Sequence, residues 1–132
     1  MTVLEEGKTW TGEPLPPISR LTLALYCGAS GDHNPLHVDI DAARAAGFDD
    51  VIAHGMLPMA YLGRFLTELV PQQSLRRFGV RFVGMTHVGD VLTCTATCVS
   101  TDTESGTSTL SISIADATGE VKATGEAEVV AQ

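Results

Sequence analysis

Asp32 and His37 stand five positions apart, with Asn34-Pro35 between them. A carboxylate and an imidazole that reach one water molecule form an acid/base pair able to move its protons. On an unbroken helix, positions five apart lie roughly 140° from each other, on different faces. Proline interrupts a helix and pushes the residue before it towards extended geometry. The spacing therefore predicts that the chain leaves a helix near Gly31 and doubles back as a loop. Such a loop turns both side chains towards one point. A plainer reading also stands, with Asp32 capping a turn and His37 a satisfied structural histidine.

A second half-site follows at His54-Gly55, just before an apolar run over 56–70 that reads as a helix. Pro58 falls in its first turn, where proline is tolerated. Helix N-termini expose amides without intrahelical partners, and the dipole there favours negative charge. Glycine lets a ligand approach the backbone closely. The Gly55 N–H is thus placed to hold an oxyanion. The alternative for Gly55 is a tight turn into a buried helix. For His54 a structural part is expected, with its ring bonded to nearby backbone.

These residues have to be held by the elements around them. Ser19 caps an expected helix over 20–29, with Leu21, Leu25 and Gly28 on one side. Asp39 caps a second over 39–46, Ala-rich and stopped by Gly47. The helix over 56–70 is apolar nearly all round, which belongs in a core rather than on a surface. Pro71 ends it. After it the period changes to strands, expected at 74–86, 90–101, 107–116 and 120–131, with Leu110, Ile112 and Ile114 alternating with serines. A short strand near Thr9 and Trp10 comes first. The pattern is α+β, with an antiparallel sheet wrapped around one helix. Such a sheet has open edges, which dimerisation would cover.

At 132 residues and 13.9 kDa the chain is long enough for one domain over 1–132 with its own core. An apolar share of 44% argues against disorder. The net charge of −8 argues against nucleic-acid binding, which needs clustered Lys and Arg. Arg76, Arg77 and Arg81 are the one basic concentration, fitting either a phosphate or a solvated strand edge. Cys27, Cys94 and Cys98 lack metal-ligand spacing and read as free thiols in a reducing compartment. The N-terminus lacks the basic start and apolar run of a signal peptide. Arg64 and Glu68 interrupt the longest apolar stretch before it reaches membrane-spanning length. A soluble cytoplasmic protein is the expectation. His33 and His37 stand four apart, but Pro35 spoils the helix that would align them, so no metal site is expected. Nor is there a Gly-x-Ser-x-Gly elbow or a phosphate-binding loop.

The string Tyr26-x-x-x-Ser30-Gly31-Asp32-x-Asn34-Pro35-Leu36-His37-x-Asp39, then Gly47-Phe48, then Ile52-Ala53-His54-Gly55-Met56-Leu57, closely resembles the MaoC-like hydratase family. That family includes the (R)-specific enoyl-CoA hydratases. The likeness continues into Val80-Arg81-Phe82 and Val88-Gly89-Asp90, and so runs from about Leu21 to Leu92. It implies a hot dog fold, a curved antiparallel sheet around a long central helix, paired into homodimers or larger assemblies. It also implies reversible hydration of a trans-2-enoyl thioester to the (3R)-hydroxyacyl thioester. Asp32 and His37 would grip the water, and the Gly55 N–H would hold the thioester oxygen. Leu25, Leu57 and Met59 would surround the carboxylate, and Asn34 would orient the loop or the water. Arg76, Arg81 or Arg64 would meet the coenzyme A phosphates. Gly63 would leave room for the acyl tail, with Tyr61 or Phe65 limiting its length. No cofactor is required, because the thioester already activates the double bond. Rival readings are an acyl-carrier-protein dehydratase subunit of a heteromeric complex, a hot dog thioesterase using Glu68, and a non-catalytic acyl-CoA-binding subunit.

Overall fold

Alternation along the C-terminal half decides the sheet. Leu110, Ile112 and Ile114 are buried in β4 (Thr107–Ala115), while Ser111 between them faces solvent. Cys94, Ala96 and Cys98 do the same in β3 (Thr93–Asp102), and Ala123, Ala127 and Val129 in β5 (Val121–Val130). With β1 (Thr9–Thr11) and β2 (Leu75–Phe82) they form a five-stranded antiparallel sheet in the order β1-β3-β4-β5-β2. The chain is described from residue 4 to residue 131 in a computed structural model. Strand β2 stops at Phe82, short of the expected 86, where the Val83 and Gly84 N–H groups both converge on the single Lys122 carbonyl of β5 and the regular register ends.

One helix fills the inner face of this sheet. α3 (Met56–Leu69) packs against β2, β3, β4 and β5, and buries Leu57, Pro58, Leu62, Phe65 and Leu66. Leu62, Leu66, Leu110 and Ile114 are all fully buried, each contributing about 1.5–3 kcal/mol of apolar transfer. Burial is one-sided, however: Met56 is 52% exposed and Ala60 faces solvent. A helix apolar nearly all round was expected to be enclosed, but a single open sheet covers only one of its sides.

The preceding segment carries the sequence-predicted caps. α1 (Arg20–Ser30) begins where the Ser19 hydroxyl accepts the Thr22 N–H at 3.0 Å. It ends at Gly31, whose φ of 76° is left-handed and whose N–H returns to the Cys27 carbonyl. The buried side of α1 is Leu23 and Cys27, not the side expected from Leu21 and Leu25, which stay 68% and 66% exposed. A tight 3₁₀ turn (Pro35–His37) and α2 (Ile40–Ala45) follow, the latter capped by the Asp39 carboxylate. Among the described residues no helix is long and apolar enough to cross a membrane. All three cysteines are buried free thiols.

Candidate active site

The left-handed Gly31 turns the chain out of α1 and sets Asp32 at the start of a new direction. Asp32 Oδ1 accepts the Asn34 N–H at 3.2 Å, and Asn34 Oδ1 in turn accepts the Leu36 N–H at 3.1 Å. Two successive side-chain-capped turns thus carry the chain from Asp32 to His37 within one short bend. Asn34 is thereby engaged in holding the loop. His33, on the outside of the bend, is exposed, and its Nδ1 lies 3.1 Å from the Gly31 carbonyl.

The bend does what the spacing demanded. Asp32 Oδ2 lies 3.8 Å from His37 Nε2, with the carboxylate 52% exposed and the imidazole 11%. That gap is too long for a direct hydrogen bond and short enough for one water to bridge. His37 Nδ1 lies 2.7 Å from the Ile52 carbonyl. A carbonyl only accepts, so Nδ1 carries a proton and Nε2 is the nitrogen that faces Asp32. The Ile52 carbonyl is a backbone group, and no side-chain pattern in the sequence marked it.

His54 backs the pair. Its ring is stacked on that of His37 with centroids 3.7 Å apart, and Tyr26 meets it edge-on at 4.7 Å. Its Nε2–H donates to the Asp32 carbonyl at 3.2 Å, with the Cys27 Sγ 3.4 Å from the same nitrogen. The expectation of a ring bonded to nearby backbone is met. His54 Nδ1 is buried without a hydrogen-bond partner among the described residues. Burial pushes the His54 pKa below the usual histidine value, and the neighbouring His37 ring adds to the effect. The neutral ring is what an unpartnered Nδ1 requires. Burial, then the Asp32 carboxylate, pushes the Tyr26 phenol up.

Gly55 opens α3 beside this cluster with helical φ and ψ of −57° and −36°. Among the described residues no acceptor takes its N–H. A side chain built there would first touch the Phe82 ring, at 3.7 Å. Leu57 is buried in the core behind the helix start, and Met59 is half-buried. Leu25 projects into solvent and does not enclose the carboxylate.

Other expected residues fall elsewhere. Arg76, Arg77 and Arg81 are exposed on the edge strand β2, with Arg76 at a bulge. Arg77 and Arg81 line a groove of about 510 Å³ with Ser111, Thr124 and Glu126. Those partners belong to the sheet face turned away from α3, so the groove is not continuous with Asp32 and His37 within this chain. A side chain added at Gly63 would come into contact with the Phe78 ring, at 3.4 Å. Tyr61, Arg64, Phe65 and Glu68 share a small groove of about 160 Å³ beside the Gly12–Leu15 entry segment.

Donor atoms of Asp32, His37 and His54 lie within 4.8 Å of one another, so a third potential ligand does stand beside the pair. Its Nε2 is already committed to the Asp32 carbonyl. What remains presented to an incoming molecule is one carboxylate, the imidazole Nε2 of His37 and, among the described residues, one amide without an acceptor. This is a constellation for polarising a water against an electron-poor carbon, with an amide for the oxygen that gains charge.

A family model described as a MaoC like domain matches residues 4–119. The chain belongs to this MaoC-like family. It is 34% identical over 87 residues to an (R)-specific enoyl-CoA hydratase of Rhodospirillum rubrum, a match covering 61% of this chain and 57% of that one. To a 3-hydroxyacyl-thioester dehydratase X of Mycobacterium tuberculosis it is 35% identical over 97 residues, covering 61% of this chain and 34% of the relative. These matches therefore span less than two thirds of the relatives' lengths. Among solved structures, an (R)-hydratase from A. caviae involved in PHA biosynthesis superimposes with a TM-score of 0.86 at 26% identity, covering 100% of both chains. The MaoC-like chain thus has the hot dog fold. Relatives named hydratase and relatives named dehydratase both occur, which are the two directions of one hydro-lyase reaction.

Proposed function

We propose that the MaoC-like chain is a hydro-lyase that adds water to a trans-2-enoyl-CoA, giving the (3R)-hydroxyacyl thioester, and runs the reverse dehydration. The observation that carries the reading is the 3.8 Å gap between Asp32 Oδ2 and His37 Nε2, with His37 held in the Nδ1–H form by Ile52. A water in that gap donates to both acceptors and points its oxygen lone pair outwards. As that oxygen bonds to C3 of the enoyl group, one of the pair takes a water proton. The electron pair of the double bond moves towards C2 and the thioester oxygen, where the Gly55 N–H meets the charge. Delivery of a proton to C2 on the same face completes the addition of one water. The thioester itself makes C3 electrophilic, so no step calls for a metal or organic cofactor.

The site lies open at the surface of a single chain, with Asp32 52% exposed. A second chain over this face would exclude bulk water, and a homodimer or larger assembly is part of the proposal. The second reading keeps the chemistry and replaces coenzyme A by an acyl-carrier protein. It is favoured by the dehydratase-named relatives and by the placement of Arg76, Arg77 and Arg81 on the edge strand β2. The experiment is hydration of crotonyl-CoA and of the matching carrier-protein thioester by the purified chain, with chiral analysis of the product. Formation of the (3R) alcohol from the CoA substrate is the expected result. An (S) product, free thiol release, or binding without turnover of either thioester would overturn the assignment.

A further inference from the structure

Lys122 is the largest fully buried side chain among the described residues, 2% exposed, and the chemistry above makes no use of it. Its burial has a local cause. Ala115 pairs with Val121 and Ile114 with Ala123, so Lys122 is an extra residue in β5 opposite the β4 ladder. Bulges of this kind re-aim a side chain. Here Lys122 and Ala123 are both turned inwards in succession.

The bulged residue grips one segment at both of its ends. Its carbonyl accepts the Val83 N–H at 3.0 Å and the Gly84 N–H at 3.3 Å. Its Nζ donates to the Met85 carbonyl at 2.7 Å and faces Asp116 at 3.2 Å, with Asp90 and Glu120 each at 3.4 Å. Only glycine suits position 84, since a Cβ there would lie 2.7 Å from the Val121 carbonyl. Asp90 closes the other end of the segment by accepting the His87 N–H at 2.9 Å.

The gripped segment leads directly to the dyad. The carbonyl of Thr86, next to Met85, accepts the Ala53 N–H at 2.9 Å, and Ile52 bridges His87. Ile52 supplies the carbonyl that takes the His37 Nδ1 proton. We propose that Lys122 is a positioning residue for His37: it holds the Val83–Asp90 segment on β5 and so fixes the Ile52 carbonyl that decides which imidazole nitrogen keeps its proton. An apolar side chain of similar length would fill the same space, often with no loss of stability. It would not hold Met85 and Asp90 in one register, and that is the function assigned to the ammonium.

This rests on the reading of His37 as the water-gripping imidazole, and the test separates the two. Lys122→Met is made alone and in a His37→Ala background, with crotonyl-CoA kinetics, thermal melts and NMR of isotope-labelled histidine. The expected results are kcat lowered on the order of tenfold to a hundredfold with KM nearly unchanged, no further loss in the His37→Ala background, and a His37 ring that no longer keeps a single Nδ1–H tautomer. If Lys122→Met does not melt cooperatively, Lys122→Gln with Asp116→Asn removes the ammonium and one facing carboxylate and takes its place. An unchanged kcat with the wild-type tautomer, or an equal loss in both backgrounds, overturns the proposal. Full activity of His37→Ala instead overturns the hydratase reading, while the tautomer measurement still judges Lys122.

Discussion

The imidazoles of His37 and His54 lie face to face, 3.7 Å apart and 22° from parallel. Two stacked rings at this distance resist carrying charge together, and burial already disfavours it on His54. His54 serves as a neutral plate behind His37 and as a donor to the Asp32 carbonyl. His54→Phe keeps the plate and removes the donor. Its kcat for enoyl hydration should fall at least about tenfold, on the usual scale for a small displacement of a catalytic group, with a KM near wild type. A kcat within twofold of wild type would show that the Asp32 backbone needs no such tether.

The dyad itself gives the largest expected effects. Asp32→Asn retains an oxygen for the Asn34 N–H, and His37→Ala removes the Nε2 lone pair. Each should lower crotonyl-CoA hydration by at least about 10²-fold, the scale of acid/base catalysis. The melting temperature of Asp32→Asn should stay close to wild type, because the carboxylate is half exposed. Near-normal rates in both variants would refute the assignment.

Gly55 separates an amide role from a steric one. Gly55→Ala keeps the N–H and adds a methyl in ordinary contact with Phe82, so activity should remain within a few fold. Gly55→Pro suits the observed φ of −57° and deletes the N–H. Its kcat should drop by about 10²–10³, as for loss of an oxyanion donor. Equal rates in the two variants would remove the amide from the mechanism.

The Lys122 cluster predicts a pH dependence of stability. Asp116 is held down to about 2, first by the Thr118 hydroxyl and further by Lys122, against the opposing effect of burial. Its folded pKa lies below the unfolded value of about 3.9, so its contribution is complete above that value and is lost as the pH falls through about 2. Burial works to lower the Lys122 pKa, but the Asp116 hydrogen bond and the surrounding carboxylates raise it overall. That contribution is therefore present at neutral pH and is lost only on the alkaline side. Melting curves should show Asp116→Asn several degrees below wild type at pH 7 and converging with it near pH 2. A constant difference across that range would mean that the charge is irrelevant.

Much of the site could be read directly from the chain. Pro35 between Asp32 and His37 forbids the helix that would part them, and Ser19, Asp39, Gly31 and Gly47 act through local hydrogen bonds and backbone freedom. Such effects span a few residues, so sequence fixes them. The 2-residue period after Ser74 likewise settles the strands, since one face of each must be dry.

What packs on what is a different matter. α1 offers two apolar stripes, Leu21 with Leu25 and Leu23 with Cys27, and nothing within the helix prefers either. The structure buries the second and leaves the first bare. The same holds for α3, whose apolar circumference is only half covered by an open sheet. The Ile52 carbonyl behind His37, the stacking of His54 and the inward turn of Lys122 all join residues distant in the chain. Spacing determined the bend that carries Asp32 and His37, and the family resemblance marked the two as the candidate acid/base pair. Only the tertiary structure decided which proton His37 keeps, because that depends on a backbone carbonyl delivered from another part of the fold.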